Sequence, residues 1–224
     1  MSGSPAARFL ADRPFSYVCN RCRNCCHDKL IQVNPYEIAR LARCLGIDTT
    51  AFIRDYLENS VYLRRQADGA CVFLGPEGCT VHADRPLVCR LYPLGRHVGP
   101  AGEVKYSQME PHPATKGVYG SDGTAADYIA RQGVAPFVDA ADRYLALLRR
   151  LYHAWRNGPN VPIPGAAPSV EQAEAVPELL DLDRAVASFC TSRGIAEPVG
   201  IEQRMQLHLE AVTAWLDGRP SGQA

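Results

Sequence analysis

The chain has 224 residues, and its 24 Lys and Arg are balanced by 24 Asp and Glu. This balance leaves no overall field to attract nucleic acid or an anionic membrane, so we expect the protein to bind neither. With 46% hydrophobic residues it can bury a core without disulfides. It has no apolar run long enough to span a bilayer and no secretory signal, so the expected compartment is the cytoplasm.

The first distinctive segment follows an expected N-terminal arm at residues 1–16. It reads "YVCNRCRNCCHD" and places Cys19, Cys22, Cys25 and Cys26 within eight positions. Gaps of two residues allow a tight turn to direct three thiolates at one centre. Adjacent residues project in different directions, so either Cys25 or Cys26 is expected to face a second centre or the remote cysteines.

Two helices are predicted next. The segment "NPYEIARLARCLG" carries Asn34 as N-cap, Pro35 at the first helical position, Glu37 three residues after the cap, and Gly46 at the end. The segment "TTAFIRDYLENSVYLRR" is predicted to form a second helix, which begins near residue 48.

The remaining clustered cysteines lie in "ACVFLGPEGCTVHADRPLVCRLYPLG", as Cys71, Cys79 and Cys89. The tetrapeptide "GPEG" indicates a turn between two short extended pieces. The segment is therefore predicted to be a tight hairpin followed by an irregular loop.

Helical periodicity dominates the rest of the chain. "GVYGSDGTAADY" is predicted to be a turn that leads into a long helix, "VAPFVDAADRYLALLRRLYHAWRN". A Pro- and Gly-rich linker at 157–169 and two more amphipathic helices follow. The long helix is expected to bury one apolar face made of Phe137, Val138, Ala141, Tyr144, Leu145, Leu148, Leu151, Tyr152 and Trp155.

These elements predict a mainly α protein with small irregular β elements. Residues 17–124 are expected to form a cysteine-rich metal-binding core of loops, two helices and a hairpin. Residues 125–224 are expected to form a helical extension packed on it.

Metal ligation is favoured over disulfides because cytoplasmic thiols are kept reduced. Four cysteines interrupted by Asn and Arg also do not form an apolar face. By contrast, Cys44 and Cys190 each lie alone on an amphipathic helix and are predicted to be buried hydrophobes. Neighbouring basic residues are expected to offset the negative charge of a thiolate site, and these are Arg21, Arg23, Lys29, Arg85, Arg90 and Arg96.

The order of the seven cysteines, the Arg85 and Pro86 pair and the "CRLYP" ending resemble the YkgJ-like cysteine-cluster family, a family described as zinc- or iron-chelating. The resemblance covers about residues 17–96 and, more weakly, the segment to about 155. It implies a metal or iron-sulfur centre bound by Cys19, Cys22, Cys25, Cys26, Cys71, Cys79 and Cys89. Many relatives place a further cysteine after the "RLYP" segment, where this chain has "EPHPATKGVYG", so His112 is a candidate substitute ligand.

The metal itself stays open at this point. Three cysteines at two-residue gaps with a remote fourth are typical of a [4Fe-4S] loop, which favours iron-sulfur over zinc. Seven thiolates exceed the four that one cluster needs, so one cluster plus a three-cysteine zinc or second iron site is also allowed. An eighth ligand for two full centres would be His82 or His112.

Three functions are compatible with these residues. The favoured one is a cytoplasmic metal-binding protein whose iron-sulfur or zinc centre serves redox transfer, metal handling or sensing. Some longer relatives are flagellin lysine N-methylases, so the second is a protein-modifying enzyme. In the third, zinc stabilises a module whose C-terminal helices bind a protein partner.

Overall fold

The computed structural model describes residues 7–156 and 180–217, in which nine strands and seven helices are present. The strands are β1 (Arg8–Phe9), β2 (Pro14–Val18), β3 (Leu57–Glu58), β4 (Tyr62–Leu63), β5 (Leu74–Gly75), β6 (Gly78–Cys79), β7 (Leu94–Val98), β8 (Val104–Gln108) and β9 (Val118–Thr124). The helices are α1 (Pro35–Leu45), α2 (Thr49–Tyr56), α3 (Leu87–Leu91), α4 (Ala125–Arg131), α5 (Ala135–Arg156), α6 (Leu182–Arg193) and α7 (Ile201–Asp217). Single 3-10 turns lie at Asn24–Cys26 and His82–Asp84.

The chain divides into two compact units. The cysteine unit comprises the residues up to Ile31 together with Leu63–Phe137, and it contains all seven clustered cysteines. The helical unit comprises Gln32–Tyr62 and the chain from Val138 on. The domain boundaries after residues 16 and 124 stay a prediction, and the linker at 157–169 lies outside the described residues.

Small antiparallel sheets build the cysteine unit. In one sheet β8 lies between β1 and β7, and in another β2 pairs with β9, so that Tyr17 lies opposite Tyr119. Phe15, Tyr17, Leu94 and Tyr128 are buried together between β2, β7 and α4. Residues 1–16 are predicted to be an arm. From Arg8 onward, β1 pairs with β8, and Phe15 of β2 is buried.

Helix α1 of the helical unit begins and ends as predicted. The Asn34 side chain accepts a hydrogen bond from the Glu37 N–H, and the Glu37 carboxylate accepts one from the Asn34 N–H. This capping box satisfies two backbone donors that a helix start leaves unpaired. Gly46 adopts the left-handed conformation, with φ of 71°, that ends the helix.

The first turns of α2 and α6 exchange hydrogen bonds within the helical unit. Asp181, the N-cap of α6, is 5% exposed and accepts hydrogen bonds from the hydroxyls of Thr49 and Thr50, each at 2.5 Å. Asp183 accepts from the Thr49 N–H at 3.0 Å. Carboxylates beside two helix N-termini offset the positive ends of both helix dipoles, which stabilises the contact between α2 and α6.

The prediction of a mainly α protein is wrong, because the fold mixes helices with small sheets throughout the cysteine unit. Most strands have only two to five residues, and β9 contains two glycines, so alternation is too short to indicate most of these strands. Strand β1 finds its partner only in β8, far along the chain. The segment "GVYGSDGT" is predicted as a turn, but its residues Val118–Thr124 form strand β9. The two glycines of this strand hide it in the sequence.

The second predicted helix is too long. Helix α2 begins after the Asp48 cap and ends at Tyr56, where β3 begins. Asn59 and Ser60 both have positive φ, at 50° and 60°. Two successive left-handed residues make a tight hairpin turn that an α-helix cannot continue through, and β3 and β4 flank it.

Two burial predictions also need correction. On α5, Phe137 and Tyr144 are buried as predicted, but Leu148 and Tyr152 are 56% and 58% exposed. The buried stripe instead includes Ala140 and Leu147, so it is rotated from the predicted one. Cys190 is only 2% exposed, which confirms its prediction, whereas Cys44 is exposed at the C-terminal end of α1.

Among the described helices, none has both the length and the apolar character needed to cross a membrane.

Candidate metal centre

The first cysteine loop follows β2 and is tightly coiled. Arg21 and Arg23, on either side of Cys22, have φ of 50° and 69°, and the 3-10 turn of Asn24–Cys26 comes next. Left-handed conformations are unfavourable for residues with a Cβ and persist only where the surroundings impose them. The surrounding structure therefore holds this segment of four cysteines in a tight coil.

Backbone hydrogen bonds bring the second cysteine segment to the first. The Cys71 N–H donates to the Cys26 carbonyl at 3.0 Å, and the Asp28 N–H donates to the Gly69 carbonyl at 2.9 Å. Cys79 lies on β6, opposite Leu74 in the predicted "GPEG" hairpin, which is confirmed. The two segments that flank the predicted helices therefore meet within one unit.

The charges of several thiols act on one another, and the second cysteine segment acts on the first. The pKa of Cys26 is raised by its hydrogen bond to Cys25, by burial, and by the charges of Cys25, Cys89 and Cys79. Burial, and then the charge of Cys79, raises the pKa of Cys71. We call Cys26, Cys71, Cys79 and Cys89 the four-cysteine group.

The remaining three, Cys19, Cys22 and Cys25, form the three-cysteine group. The pKa of Tyr17 is raised by burial and then by the charges of Cys19 and Cys25. Cys22 also feels the charge of Cys25. This grouping differs from the ferredoxin-type interpretation, which would join the first three cysteines to one remote cysteine. The adjacent residues Cys25 and Cys26 link the two groups.

Cys25 is the more acidic member of the adjacent pair. The hydrogen bond from the Cys26 thiol, aided by the charges of Lys29 and His27, lowers the pKa of Cys25 to about 7. Cys26 is the donor in that bond and stays protonated. One thiolate and one thiol are the expected resting state of the pair when no metal is bound.

In reduced, metal-free protein, Cys25 should therefore be alkylated by iodoacetamide before Cys26. Its rate should rise as pH increases through about 7, because the thiolate is the nucleophile and forms above the pKa. Peptide mass spectrometry over a pH series would measure both rates. A midpoint for Cys25 near 8.5, the value of an ordinary cysteine, would contradict the prediction.

The predicted basic residues act in different ways. Arg23 donates from Nη1 to the Pro76 carbonyl at 2.8 Å and so ties the first cysteine loop to the hairpin. Arg90 is 7% exposed and donates to three carbonyls, those of Ala83, Arg85 and Gln132. Lys29 acts electrostatically on Cys25. Arginines 23 and 90 thus position the segments that carry the cysteines.

The two candidate histidines occupy different surroundings. His82 lies in the 3-10 turn before α3, and its pKa is lowered by burial and by Arg85, Arg21 and Arg90, so its ring is neutral at pH 7. Its Nδ1 lies 3.3 Å from Arg85 Nη1. His112 is exposed, and its Nδ1 accepts a hydrogen bond from the Ala114 N–H. Whether either histidine binds a metal stays a prediction.

A cluster of tyrosines beside the thiols was missed by the sequence analysis. Tyr17 packs against Tyr92, Tyr119 and Tyr128 with ring centroids 5.8, 4.8 and 6.3 Å away. Burial raises the pKa of Tyr92, and the Tyr119 hydroxyl and the charges of Cys25 and Cys22 raise it further. The cluster covers one side of the three-cysteine group with aromatic rings. The sequence signal for a buried Tyr17 is the alternation of aromatic residues with their neighbours in "PFSYV". The first part of that segment lies within the predicted arm.

All nine cysteines are reduced thiols. In residues 7–156 and 180–217, no three His, Cys, Asp or Glu side chains are grouped so that they could hold a metal ion. The donor set nevertheless fits a thiophilic metal, since seven thiols lie in one unit. That unit also carries thirteen Lys and Arg against nine Asp and Glu, an excess that opposes the charge of several thiolates.

Comparison with known families agrees with this chemistry. Residues 18–112 match the family model described as "CxxCxxCC: Putative zinc- or iron-chelating domain". The resemblance predicted from the sequence is confirmed over those residues. No curated protein and no solved structure matches the chain significantly. The match supports metal binding in general by this part of the chain.

Proposed function

We propose that the protein binds an iron-sulfur cluster through the four-cysteine group and acts in the cytoplasm in redox transfer, metal handling or sensing. The proposal is carried by the backbone hydrogen bond that brings Cys71 against Cys26, together with the charges of Cys79 and Cys89 on Cys26 and of Cys79 on Cys71. Four thiolates are the ligand number of a [4Fe-4S] cluster. A bound cluster would supply one-electron transfer.

The chain's own residues would hold the four thiols from three segments. The backbone bond from Cys71 to Cys26 fixes two of the ligand-bearing residues against each other. The hairpin of β5 and β6 presents Cys79, and α3, anchored by Arg90, presents Cys89. Binding would require the side chains to turn toward a common centre, which their partial exposure allows.

The three-cysteine group supports a second site, for zinc or a further iron. Zinc sites close with four ligands, so three thiols would leave one position for another donor. Cys19 is exposed, so one ligand of this site would be open to solvent. Such a site would suit metal exchange or sensing better than deeply buried electron transfer.

The test is metal and sulfide analysis of the full-length protein purified without oxygen. We expect brown protein with iron and acid-labile sulfide in equal amounts, at about four of each per chain. Zinc is expected only at the three-cysteine group. A colourless protein with stoichiometric zinc and no sulfide would overturn the iron-sulfur proposal and favour zinc as the stabilising metal.

A further inference from the structure

The segment of residues 112–117 lies against the first cysteine loop. The Asn24 side chain donates to the Ala114 carbonyl at 2.6 Å, and the Asn20 side chain donates to the Lys116 carbonyl at 2.7 Å. Both asparagines lie between clustered cysteines. Two side-chain amides from the cysteine loop thus hold the backbone of a segment about ninety residues further on.

The held segment returns hydrogen bonds to Cys22. The Lys116 N–H donates to Cys22 Sγ at 3.4 Å, and the Thr115 hydroxyl lies 3.9 Å from the same sulfur. N–H···S bonds withdraw charge from a sulfur, and groups that orient metal ligands in this way tune metal affinity and electronic properties.

Local contacts shape the segment for this role. The Thr115 N–H donates to the His112 carbonyl at 2.8 Å, and the Gly117 N–H donates to Thr115 Oγ1 at 3.1 Å. A Cβ at Gly117 would lie 2.5 Å from the Tyr17 hydroxyl, which is closer than atoms pack, so glycine permits the approach. His112 orients the turn through its carbonyl and its Nδ1, which accepts from Ala114.

We infer that residues 112–117 are a positioning loop that fixes Cys22 as a ligand, with the Lys116 N–H and the Thr115 hydroxyl as donors to its sulfur. The family match ends at residue 112, so it assigns nothing to residues 113–117. The inference rests on the proposed metal-binding function, because a positioned thiol matters only to the metal that it binds. In this role His112 acts through its backbone carbonyl and its Nδ1.

The test uses Co²⁺ as the probe on reduced, metal-free, full-length protein. Asn24→Asp removes the amide donor and places a carboxylate against the Ala114 carbonyl, which should release the loop. We expect Co²⁺ affinity, measured against a competing chelator, to fall about 10–100-fold. The sulfur-to-cobalt charge-transfer band should shift in Thr115→Val, which loses the hydroxyl, and return to the wild-type position in Thr115→Ser.

The matched control is Asn59→Asp, the same substitution in the β3–β4 turn of the helical unit. It should leave both the affinity and the band unchanged. The inference would be overturned if Asn24→Asp kept the wild-type affinity for Co²⁺ and Thr115→Val kept the wild-type position of the charge-transfer band. Tight binding of Co²⁺ by the wild-type protein would not change that conclusion.

Amide hydrogen exchange of metal-free protein separates this inference from the proposed function. The Lys116 amide should be protected in the wild type and exchange faster in Asn24→Asp and in Cys22→Ala, which removes its acceptor. Equal exchange in all three would overturn the loop contact itself. A different result would support the contact and contradict the metal-binding proposal. In that result the Lys116 amide exchanges slowly in the wild type and faster in both variants, but the wild-type protein binds no Co²⁺.

Discussion

Replacing Cys79 with serine is expected to remove the metal held by the four-cysteine group. A serine hydroxyl is a poor ligand for iron or zinc, and loss of an orienting contact alone lowers metal affinity 10–100-fold. Loss of a ligand should exceed about 100-fold. Iron and sulfide should fall to near zero in anaerobic Cys79→Ser, and thermal unfolding should move to lower temperature because metal binding is coupled to folding.

Two variants make the result specific. Cys44→Ser changes an exposed cysteine of the helical unit and should keep both metal content and stability. Cys22→Ser alters the three-cysteine group and should reduce the second metal while most of the sulfide remains. If Cys79→Ser retained wild-type iron and sulfide, the four-cysteine group would not be the cluster site.

Arg90→Met is expected to destabilise the cysteine unit by about 3–5 kcal/mol. The buried guanidinium donates to the carbonyls of Arg85 and Gln132 at 2.9 and 3.0 Å, and it lies 4.0 Å from the centroid of the Phe137 ring. Methionine fills much of the same volume but leaves these carbonyls without the donor. Denaturant unfolding of metal-free protein would measure the change.

The control for Arg90→Met is Arg131→Met, which changes an exposed arginine at the end of α4 next to the same Gln132. It should alter the free energy of unfolding by less than about 0.5 kcal/mol. Because Arg90 follows Cys89 on α3, its loss should also increase the rate of metal release. A change below about 1 kcal/mol in Arg90→Met would show that the carbonyls find other donors.

Local signals in the sequence predicted both ends of α1. The start and end of α1 follow from Asn34, Glu37 and Gly46, whose contacts span three or four positions. The end of α2 was wrong because the turn at Asn59 and Ser60 depends on pairing between β3 and β4. Helix caps are visible in a short window, whereas a strand without clear alternation is defined only by its partner.

The candidate site shows the same division. The spacing of Cys19, Cys22 and Cys25 predicts local convergence, which stays a prediction because no three His, Cys, Asp or Glu side chains among the described residues are grouped so that they could hold an ion. No spacing could have placed Cys71 against Cys26, since their contact is a backbone bond between segments separated by α1 and α2. The buried position of Arg90 could not be predicted either, because its side chain also donates to the carbonyl of Gln132, which is distant in the sequence.

By itself, the sequence determined the seven clustered thiols, the excess of basic residues around them, the family of the domain and the caps of α1. Each of these depends on residue identity or on contacts within one helical turn. Only the tertiary structure decided the contact between Cys71 and Cys26 and the docking of residues 112–117 on Cys22. Those features arise from hydrogen bonds between distant segments, whose pairing is selected by the packing of the whole unit.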